Sequence, residues 1–454
     1  MSQEDRNEKP RNEEQKVTKF RWLVMGLIFL VFALTTADRA SIGFAMPYLR
    51  NEFNMTNTQS GAILSAFYLG YAFSQLPAGF IVSKFGVRKV LSVAFLAISV
   101  CSGMIGFAAG PVTIKYMRGV VGAIQGPIAN SLATTINNWF PGNEKGTAMG
   151  LFMSSSKFGP LVLPMVCAFI IQYWSWRHIF FVLAIPWVIF LALWLFLVKN
   201  KPADSQFCSP AEVELISTNT AVAKKAAKAK KPYNMVWLDK LIRAQKVELL
   251  DSNAKIFTNW NMIGSALGFF IIVAFVTVMM TWIPSYLVTV KKFDIMNTAI
   301  VASAPFAGTV VGNIVGGWLS DNVFNKRRKP LMIFSSVATA IMMYSMVFAS
   351  SEPILLVAHL FLLGLLFALG YSAFVVYPMA LVTKERFPVA TALTNTGGQL
   401  GGFCAPLVVG MILDKYNWDM VFTVLAVSAC ICLALVLSII EPVDDPLESN
   451  TKQA

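Results

Sequence analysis

The sequence predicts an all-α membrane protein of twelve transmembrane helices, arranged as two pseudo-symmetric halves of six helices each. Hydrophobic residues make up 56% of the 454 residues and charged residues only 13%, whereas soluble domains contain roughly 25% charged residues. The apolar residues form about twelve long runs, each near the ~20 residues that cross a bilayer as a helix. Because lipid offers the backbone no hydrogen-bond partner, spans of this kind must be helical.

The apolar runs divide the chain into five regions. We place spans at 20–48, 59–82, 88–110, 112–138, 146–171 and 178–198, and then at 262–289, 296–320, 328–350, 354–383, 388–413 and 418–440. We expect a cytoplasmic tail (1–19), a six-helix bundle (20–198), a basic cytoplasmic linker (199–258), a second six-helix bundle (259–440) and a short cytoplasmic tail (441–454). The linker contains the lysine-rich run from Ala223 to Lys231, which we interpret as a solvated, partly helical segment attracted to anionic lipid.

Three sequence matches in the same order indicate that the two halves repeat each other. The segment 76–89 resembles 315–329, and 175–184 resembles 417–426. The third match pairs 138–141 with 385–388, each just before a fifth span. Two six-helix halves in parallel repeat are typical of secondary transporters that alternate around a central site.

The distribution of positive charge predicts the orientation. The formal net charge is +13, and Lys and Arg concentrate in the first tail, in the linker and in short loops such as 84–89 and 326–329. Basic loops stay in the cytoplasm, so we expect both termini there, in a bacterial inner membrane. The concentration of basic residues in these loops argues against nucleic-acid binding.

Four charged side chains lie inside predicted spans: Asp38, Arg39, Arg118 and Lys157. A charge near the bilayer centre costs about 3 kcal/mol even on the mildest scale, so such residues usually line a polar path. Three of the four are cations, and a cavity with surplus positive charge suits an organic anion. A purely structural network, with Asp38 neutralising its neighbours, is the alternative.

Each of these residues suggests a role. Asp38 is the only carboxylate deep in a span, which makes it the candidate proton-coupling residue. Arg39 is its expected partner and a candidate substrate-binding residue. Arg118 can grip a carboxylate in two places, and Lys157 can hold substrate charge. Polar residues that could bind substrate hydroxyls, or simply join helices, are Tyr71, Gln125, Asn395 and Gln399. Trp282 and Tyr286 are either an aromatic belt or part of an outer gate.

Several motifs resemble a known family. The segment 79–89 is similar to the signature loop of the major facilitator superfamily, with Ser83 in place of the usual Asp, whereas the second-half copy keeps Asp321. The segments 37–40, 117–119, 126–127, 138–141 and 282–287, together with Asn395 before a glycine-rich stretch, resemble the anion:cation symporters. That family includes bacterial permeases for galactonate, glucarate and hexuronates, and the animal sialic-acid and vesicular glutamate carriers.

The resemblance implies roles for individual residues. It implies that Asp38 is protonated during transport, that Arg118 contacts the substrate carboxylate, and that Tyr71 and Asn395 line the site. Two positions depart from the pattern. Galactonate-type members carry a titratable glutamate where this chain has Gln125, and Lys157 adds a cation beside the position where they have glutamine, here Ser156.

We therefore expect a monomeric importer of a small organic anion, a sugar acid such as an aldonate, aldarate or hexuronate, that works by proton symport and alternating access. Gln125 leaves anion exchange open, and Lys157 leaves open a sulfonate, a dicarboxylate or a phosphorylated acid. A drug exporter of the same fold is less favoured, because exporters of cationic drugs place acids in the cavity. No nucleophile motif, phosphate loop or metal cluster is present, so we expect neither an enzyme nor a cofactor other than the proton.

Overall fold

The computed structural model describes residues 17–218 and 236–443, and within these ranges it is built almost wholly of helices. Twelve helices have 17 or more residues. They are α1 (Phe20–Glu52), α2 (Asn57–Phe85), α3 (Val87–Gly106), α4 (Pro111–Trp139), α5 (Lys145–Tyr173), α6 (Trp176–Leu197), α7 (Trp260–Thr281), α8 (Ile295–Trp318), α9 (Lys329–Ser345), α10 (Pro353–Val376), α11 (Phe387–Lys415) and α12 (Trp418–Ser438).

Shorter elements connect the long helices. One-turn and two-turn helices lie at Pro210–Thr218, Val236–Leu241, Asn253–Thr258 and Ile283–Thr289, and brief 3-10 or π segments at Pro202–Asp204, Leu319–Val323, Met346–Phe348, Tyr377–Leu381 and Lys384–Arg386. The two-residue strands β1 (Ala244–Gln245) and β2 (Glu441–Pro442) pair in parallel. The predicted helical architecture is confirmed.

Ten of the long helices, counted over the described residues, are apolar and long enough to cross a membrane. The two others are α2 and α4. These helices carry Tyr71, Arg118 and Gln125, so the polarity that lowers their hydropathy comes partly from the residues expected to line the site.

Local sequence explains where several helices begin. The Thr56 side chain accepts a hydrogen bond from the backbone of Gln59, whose own side chain accepts from the backbone of Thr56, which is a capping box at the start of α2. Asn259 and Asn417 cap α7 and α12 in the simpler way, through one side-chain oxygen. These caps satisfy backbone N–H groups that have no partner within the helix.

The predicted span at 262–289 is wrong as a single helix. The structure ends α7 at Thr281 and starts a separate helix at Ile283, with Trp282 between them. Pro284 lies in the first turn of the second helix, where its missing N–H costs nothing. The same residue weakens any continuation of α7, because it removes one hydrogen bond of the helix and its ring crowds the carbonyl one turn earlier.

The linker is divided between the two halves. The helix Pro210–Thr218 is held to α1 by Glu212, which accepts hydrogen bonds from the backbone and the guanidinium of Arg21. Further along, Asp239 pairs with the buried Arg327, just before α9. The strand β1 then joins the end of the second half through β2. The lysine-rich run predicted as a surface segment lies outside the described residues.

The two halves meet closely at the end of the bundle farthest from residues 17 and 443, which we call the remote end. A Cβ added to Gly43 of α1 would lie 2.6 Å from the carbonyl oxygen of Met280, and one added to Gly61 of α2 would lie 2.4 Å from that of Pro406. Only glycine allows backbones to approach this closely. Both contacts lie beyond Asp38 and Tyr68 toward the remote end, so the halves close the centre of the bundle from that side.

Candidate functional site

Asp38 lies near the middle of α1 and is 1% exposed. Its Oδ2 accepts a hydrogen bond of 2.8 Å from Nε2 of Gln125 on α4, and Nη1 of Arg118 lies 3.9 Å from the same oxygen. The other oxygen, Oδ1, is buried and has no hydrogen-bond partner among the described residues. Asp38 is therefore a carboxylate with one occupied and one vacant hydrogen-bonding oxygen.

Arg118 lies behind Asp38 rather than at an open surface. It is 1% exposed, and its Nη atoms donate to the backbone carbonyls of Asp38 and Arg39 at 3.2 and 3.3 Å. Its guanidinium carbon lies 5.0 Å from the centre of the Phe67 ring. In this conformation the interactions of Arg118 hold α4 against α1 and leave its Nε without a hydrogen-bond partner in the described part of the chain.

Arg39 is the more accessible arginine. Its Nε donates a hydrogen bond of 3.0 Å to Oε1 of Gln125, and its guanidinium stacks 4.5 Å from the centre of the Tyr71 ring. Arg39 is partly exposed, and within residues 17–218 and 236–443 neither Nη atom makes a hydrogen bond. The Tyr71 ring orients the guanidinium and leaves two donors available to a ligand.

Lys157 lies on α5 and contacts the opposite half of the molecule. Its Nζ is 4.5 Å from the centre of the Tyr371 ring on α10, and the residue is only partly buried. No carboxylate or hydrogen-bond acceptor among the described residues pairs with this ammonium group. Lys157 is thus a cation at the boundary between the halves that a bound anion can neutralise.

Two predicted polar residues come from the second half. Asn395 and Gln399 lie one turn apart on α11 and are both partly exposed. The Oε1 atom of Gln399 is buried and unpaired within the described ranges. The α11 helix also packs directly on α2, where Gly402 lies against the Tyr68 ring. The helix that carries these amides therefore borders the same inter-half space as Tyr68 and Tyr71.

The two residues predicted as a gate pack within the second half. Trp282 and Tyr286 are 1% and 3% exposed, and their aromatic contacts are with Trp418 and Phe422 of α12. Thr281, the neighbour of Trp282, approaches Gly43 of α1 together with Met280. This aromatic cluster supports one side of the remote-end contact.

Sequence reasoning missed Phe67, Tyr68 and Tyr371. Phe67 and Tyr68 precede Tyr71 by about one helical turn, and this spacing could have placed them on the same face. Tyr371 gives no comparable signal, because it lies in the apolar run of α10 and acquires its role only through the contact with Lys157 from the other half.

The charges at this site do not balance. Asp38 contributes one negative charge, and Arg39, Arg118 and Lys157 contribute three positive charges. With every group ionised the net charge is therefore +2, and it becomes +3 when Asp38 is protonated. The described residues hold no group of three His, Cys, Asp or Glu side chains that could bind a metal ion.

Comparison with known proteins gives the relatives of the chain. The probable galactarate/D-glucarate transporter of Escherichia coli K12 is 27% identical over 445 residues, covering 94% of this chain and 96% of the relative. The probable sulfoacetate transporter of Cupriavidus necator is 28% identical over 416 residues, with 89% and 90% covered. A D-galactonate transporter of Escherichia coli CFT073 is 25% identical, with 88% and 90% covered. The predicted resemblance to sugar-acid permeases is confirmed.

Solved structures show the same fold. A bacterial homolog of the lysosomal transporter Spinster, in an inward-facing conformation, aligns with a TM-score of 0.72 at 14% identity, covering 92% of this chain and 97% of that one. The inward-open xylose transporter from Escherichia coli aligns with a TM-score of 0.70 at 17% identity, covering 94% and 98%.

A family model covers most of the sequence. The model described as Major Facilitator Superfamily matches residues 28–328 and 298–454. The relatives aligned over nearly their whole length are named as transporters. Together with this match, they indicate a multi-pass membrane transport protein and not an enzyme. The chain belongs to the major facilitator superfamily.

Proposed function

We propose that this protein imports a small sugar acid across a bacterial inner membrane by proton symport, and that the substrate is a dianionic aldarate such as galactarate or glucarate. Alternating access of the two halves around the Asp38 site moves the substrate. Each chain carries both halves, so the monomer suffices. The net positive charge at the site is the observation that carries this proposal.

The accessible cations fit a substrate with a carboxylate at each end. Within residues 17–218 and 236–443, Arg39 offers two unpaired Nη donors beside Tyr71, and Lys157 offers an unpaired ammonium group beside Tyr371. A dianion would lower the net charge of the site from +2 to zero, or from +3 to +1 when Asp38 is protonated. Asn395 and Gln399 of α11 can hydrogen-bond the hydroxyls between the two carboxylates. Two of the relatives named above act on a dianion according to their names, galactarate/glucarate and sulfoacetate.

Arg118 has a different role in this proposal from the one that the family resemblance implies. In this conformation its donors are directed to the carbonyls of Asp38 and Arg39 and to the Asp38 carboxylate. Arg118 therefore fixes the positions of the proton site and of Arg39, and Arg39 and Lys157 contact the anion.

Proton coupling follows from the position of Asp38. This carboxylate is buried next to two arginines, so its protonation changes the charge of the site just where the anion binds. The remote end is closed by the contacts of Gly43 and Gly61, and the basic loops predict that the opposite end faces the cytoplasm. This conformation then corresponds to the state that releases substrate and proton inside.

Transport in proteoliposomes tests the proposal. Uptake of labelled galactarate should accelerate when an inward proton gradient is imposed, and Asp38→Asn should remove that acceleration while it keeps the buried hydrogen bond to Gln125. Acceleration that survives in Asp38→Asn would show that the proton binds elsewhere. Uptake of galactarate that is absent at every gradient would reject the substrate assignment.

A sulfonate substrate is the second candidate. The relative named for sulfoacetate is 28% identical to this chain over 416 residues, and sulfoacetate carries the same charge as galactarate. Competition of unlabelled sulfoacetate against labelled galactarate separates the two substrates. Counterflow that needs internal anion and ignores the proton gradient would instead indicate exchange, which the non-titrating Gln125 leaves possible.

A further inference from the structure

Gln125 makes two hydrogen bonds whose directions are fixed by its partners. Its Nε2 donates to Asp38 Oδ2 at 2.8 Å, and its Oε1 accepts from Arg39 Nε at 3.0 Å. The reverse amide orientation would place oxygen against oxygen at Asp38 and N–H against N–H at Arg39. One orientation of the Gln125 amide therefore corresponds to one charge state of Asp38, the ionised one.

A proton on Asp38 has two possible positions, and the surroundings distinguish them. On Oδ1 the new O–H group would have no acceptor among the described residues, because that oxygen is buried without a partner. On Oδ2 the O–H group can donate to Gln125 if the amide turns by half a revolution, so that Oε1 replaces Nε2. The turned amide then presents its NH₂ group to Arg39 Nε, and the hydrogen bond between Gln125 and Arg39 is lost.

Loss of a hydrogen bond at Arg39 costs less free energy than loss of a hydrogen bond at Asp38. Arg39 is partly exposed, so water or an anion can accept from the released Nε. Asp38 is 1% exposed, so an unsatisfied O–H group there stays unsatisfied. Turning of the Gln125 amide is therefore the favoured response to protonation.

We propose that Gln125 is a positioning residue that relays protonation of Asp38 to Arg39, releasing the Nε–Nη2 edge of Arg39 for a substrate carboxylate. The relay rests on the proposed proton symport. By reciprocity of linked binding, an anion on Arg39 also favours protonation of Asp38. A non-titrating residue at this position can thus couple proton and anion without a second acid.

Other groups around Asp38 do not replace this relay. The charged or titratable residues near it are Arg39 on the same helix, Tyr68 and Tyr71 on α2, Cys101 on α3, and Arg118 on α4. Lys157 on α5 is directed to Tyr371. Among the described residues only Gln125 hydrogen-bonds both the Asp38 carboxylate and the Arg39 guanidinium side chain.

Infrared difference spectroscopy tests the relay without any substrate. In wild-type protein with isotopically labelled glutamine, the carboxylic-acid band that appears on lowering the pH should be accompanied by a shift of a labelled glutamine C=O band. The part of the carboxylic-acid band that Asp38 contributes should be missing in Asp38→Asn, and the shift of the glutamine band should be missing with it. A carboxylic-acid band that depends on Asp38 but leaves the glutamine bands unchanged would overturn the proposal.

Binding of galactarate provides the second readout. In wild type the dissociation constant should rise at least tenfold between pH 5.5 and pH 8, and in Gln125→Met this ratio should be clearly smaller, because only the direct effect of the Asp38 charge on the anion remains. Ser131→Ala, which changes another buried residue of α4 whose hydroxyl has no hydrogen-bond partner in the described ranges, should keep the wild-type ratio. A wild-type ratio retained in Gln125→Met would also overturn the relay. Absent galactarate binding with the infrared shift intact would reject the substrate and leave the relay standing.

Discussion

The Asp414 carboxylate accepts hydrogen bonds from the backbone N–H and the hydroxyl of Thr58, at 2.8 and 2.5 Å, although the two residues belong to different halves. Asp414 also accepts from the backbone N–H of Asn57. Asn57 and Thr58 are the first two residues of α2, so a residue of α11 caps the N-terminus of a helix in the other half. This cap must break when the remote end opens.

We expect Asp414→Ala to shift the protein toward a conformation open at the remote end. A side-chain cap stabilises a helix start by roughly 0.5–2 kcal/mol, which corresponds to a two- to thirtyfold change in the ratio of the two states. Distances between spin labels placed at the remote end of each half measure this ratio. Lys415→Ala, at the exposed neighbouring position, is the matched control and should leave the distances unchanged.

Lys157→Met should weaken binding of dianions. Loss of one hydrogen bond to a charged group costs about 1.5–3 kcal/mol, so the dissociation constant for galactarate should rise roughly 10- to 100-fold. The monoanion galactonate should be affected much less, and Lys115→Met on the exposed side of α4 should affect neither. Calorimetric titration with both acids measures the difference between their dissociation constants. An equal loss of affinity for the two acids would show that Lys157 does not bind the second carboxylate.

Arg118→Met should lower the stability of the folded protein, which the loss of a substrate contact alone would not do. The substitution removes the guanidinium that lies 3.9 Å from the buried Asp38 carboxylate, and breaking a buried pair costs roughly 3–5 kcal/mol. We expect a lower melting temperature in detergent, and partial recovery in the double variant Asp38→Asn/Arg118→Met, where the buried carboxylate is gone as well. An unchanged melting temperature combined with lost galactarate affinity would contradict the prediction and show that Arg118 contacts the substrate directly.

Glu441 predicts a pH dependence outside the membrane spans. Burial raises the pKa of this carboxyl to about 7, although the backbone N–H groups of Arg328 and Lys329 that bind it act in the opposite direction. The folded protein binds this proton more tightly than the unfolded chain. The contribution of Glu441 to the free energy of unfolding is therefore present below pH 4.5 and is lost as the pH rises toward 7.

The change in the pKa of Glu441 sets an upper limit on its contribution to the free energy of unfolding. An increase from 4.5 to about 7 corresponds to at most about 3 kcal/mol at 1.36 kcal/mol per unit. The melting temperature of wild type should therefore fall between pH 5 and pH 8 by more than that of Glu441→Gln, which cannot ionise. Parallel melting curves for the two proteins across this interval would contradict the prediction.

Composition, run length and the internal repeat were enough to predict the helices, because lipid restricts a spanning chain to helix and leaves length as the main variable. The break at Trp282 was not predicted. The apolar run continues through it, and the interruption depends on Pro284 and on packing against α1, which hydropathy does not record.

The sequence identified the charged residues inside the spans but not their arrangement. The cost of burying charge identified Asp38, Arg39, Arg118 and Lys157 from sequence alone, because each departs from an apolar background. The sequence suggested Arg39 as the partner of Asp38 and Arg118 as the residue that grips the substrate, whereas in the structure Arg118 lies beside the Asp38 carboxylate and Arg39 is the more accessible arginine. The packing of α1 against α4 decides which arginine is accessible and which lies behind the carboxylate. Hydropathy along the sequence does not record how two helices pack.

The division of the linker sets how far the halves can separate. Its first part is attached to α1 through Glu212, and its last part is attached to α9 and β2, so each part moves with its own half. Only the 17 residues from 219 to 235 tether one body to the other. Fully extended, a chain of 17 residues reaches roughly 60 Å. Chain length alone therefore leaves room for the two halves to move against each other.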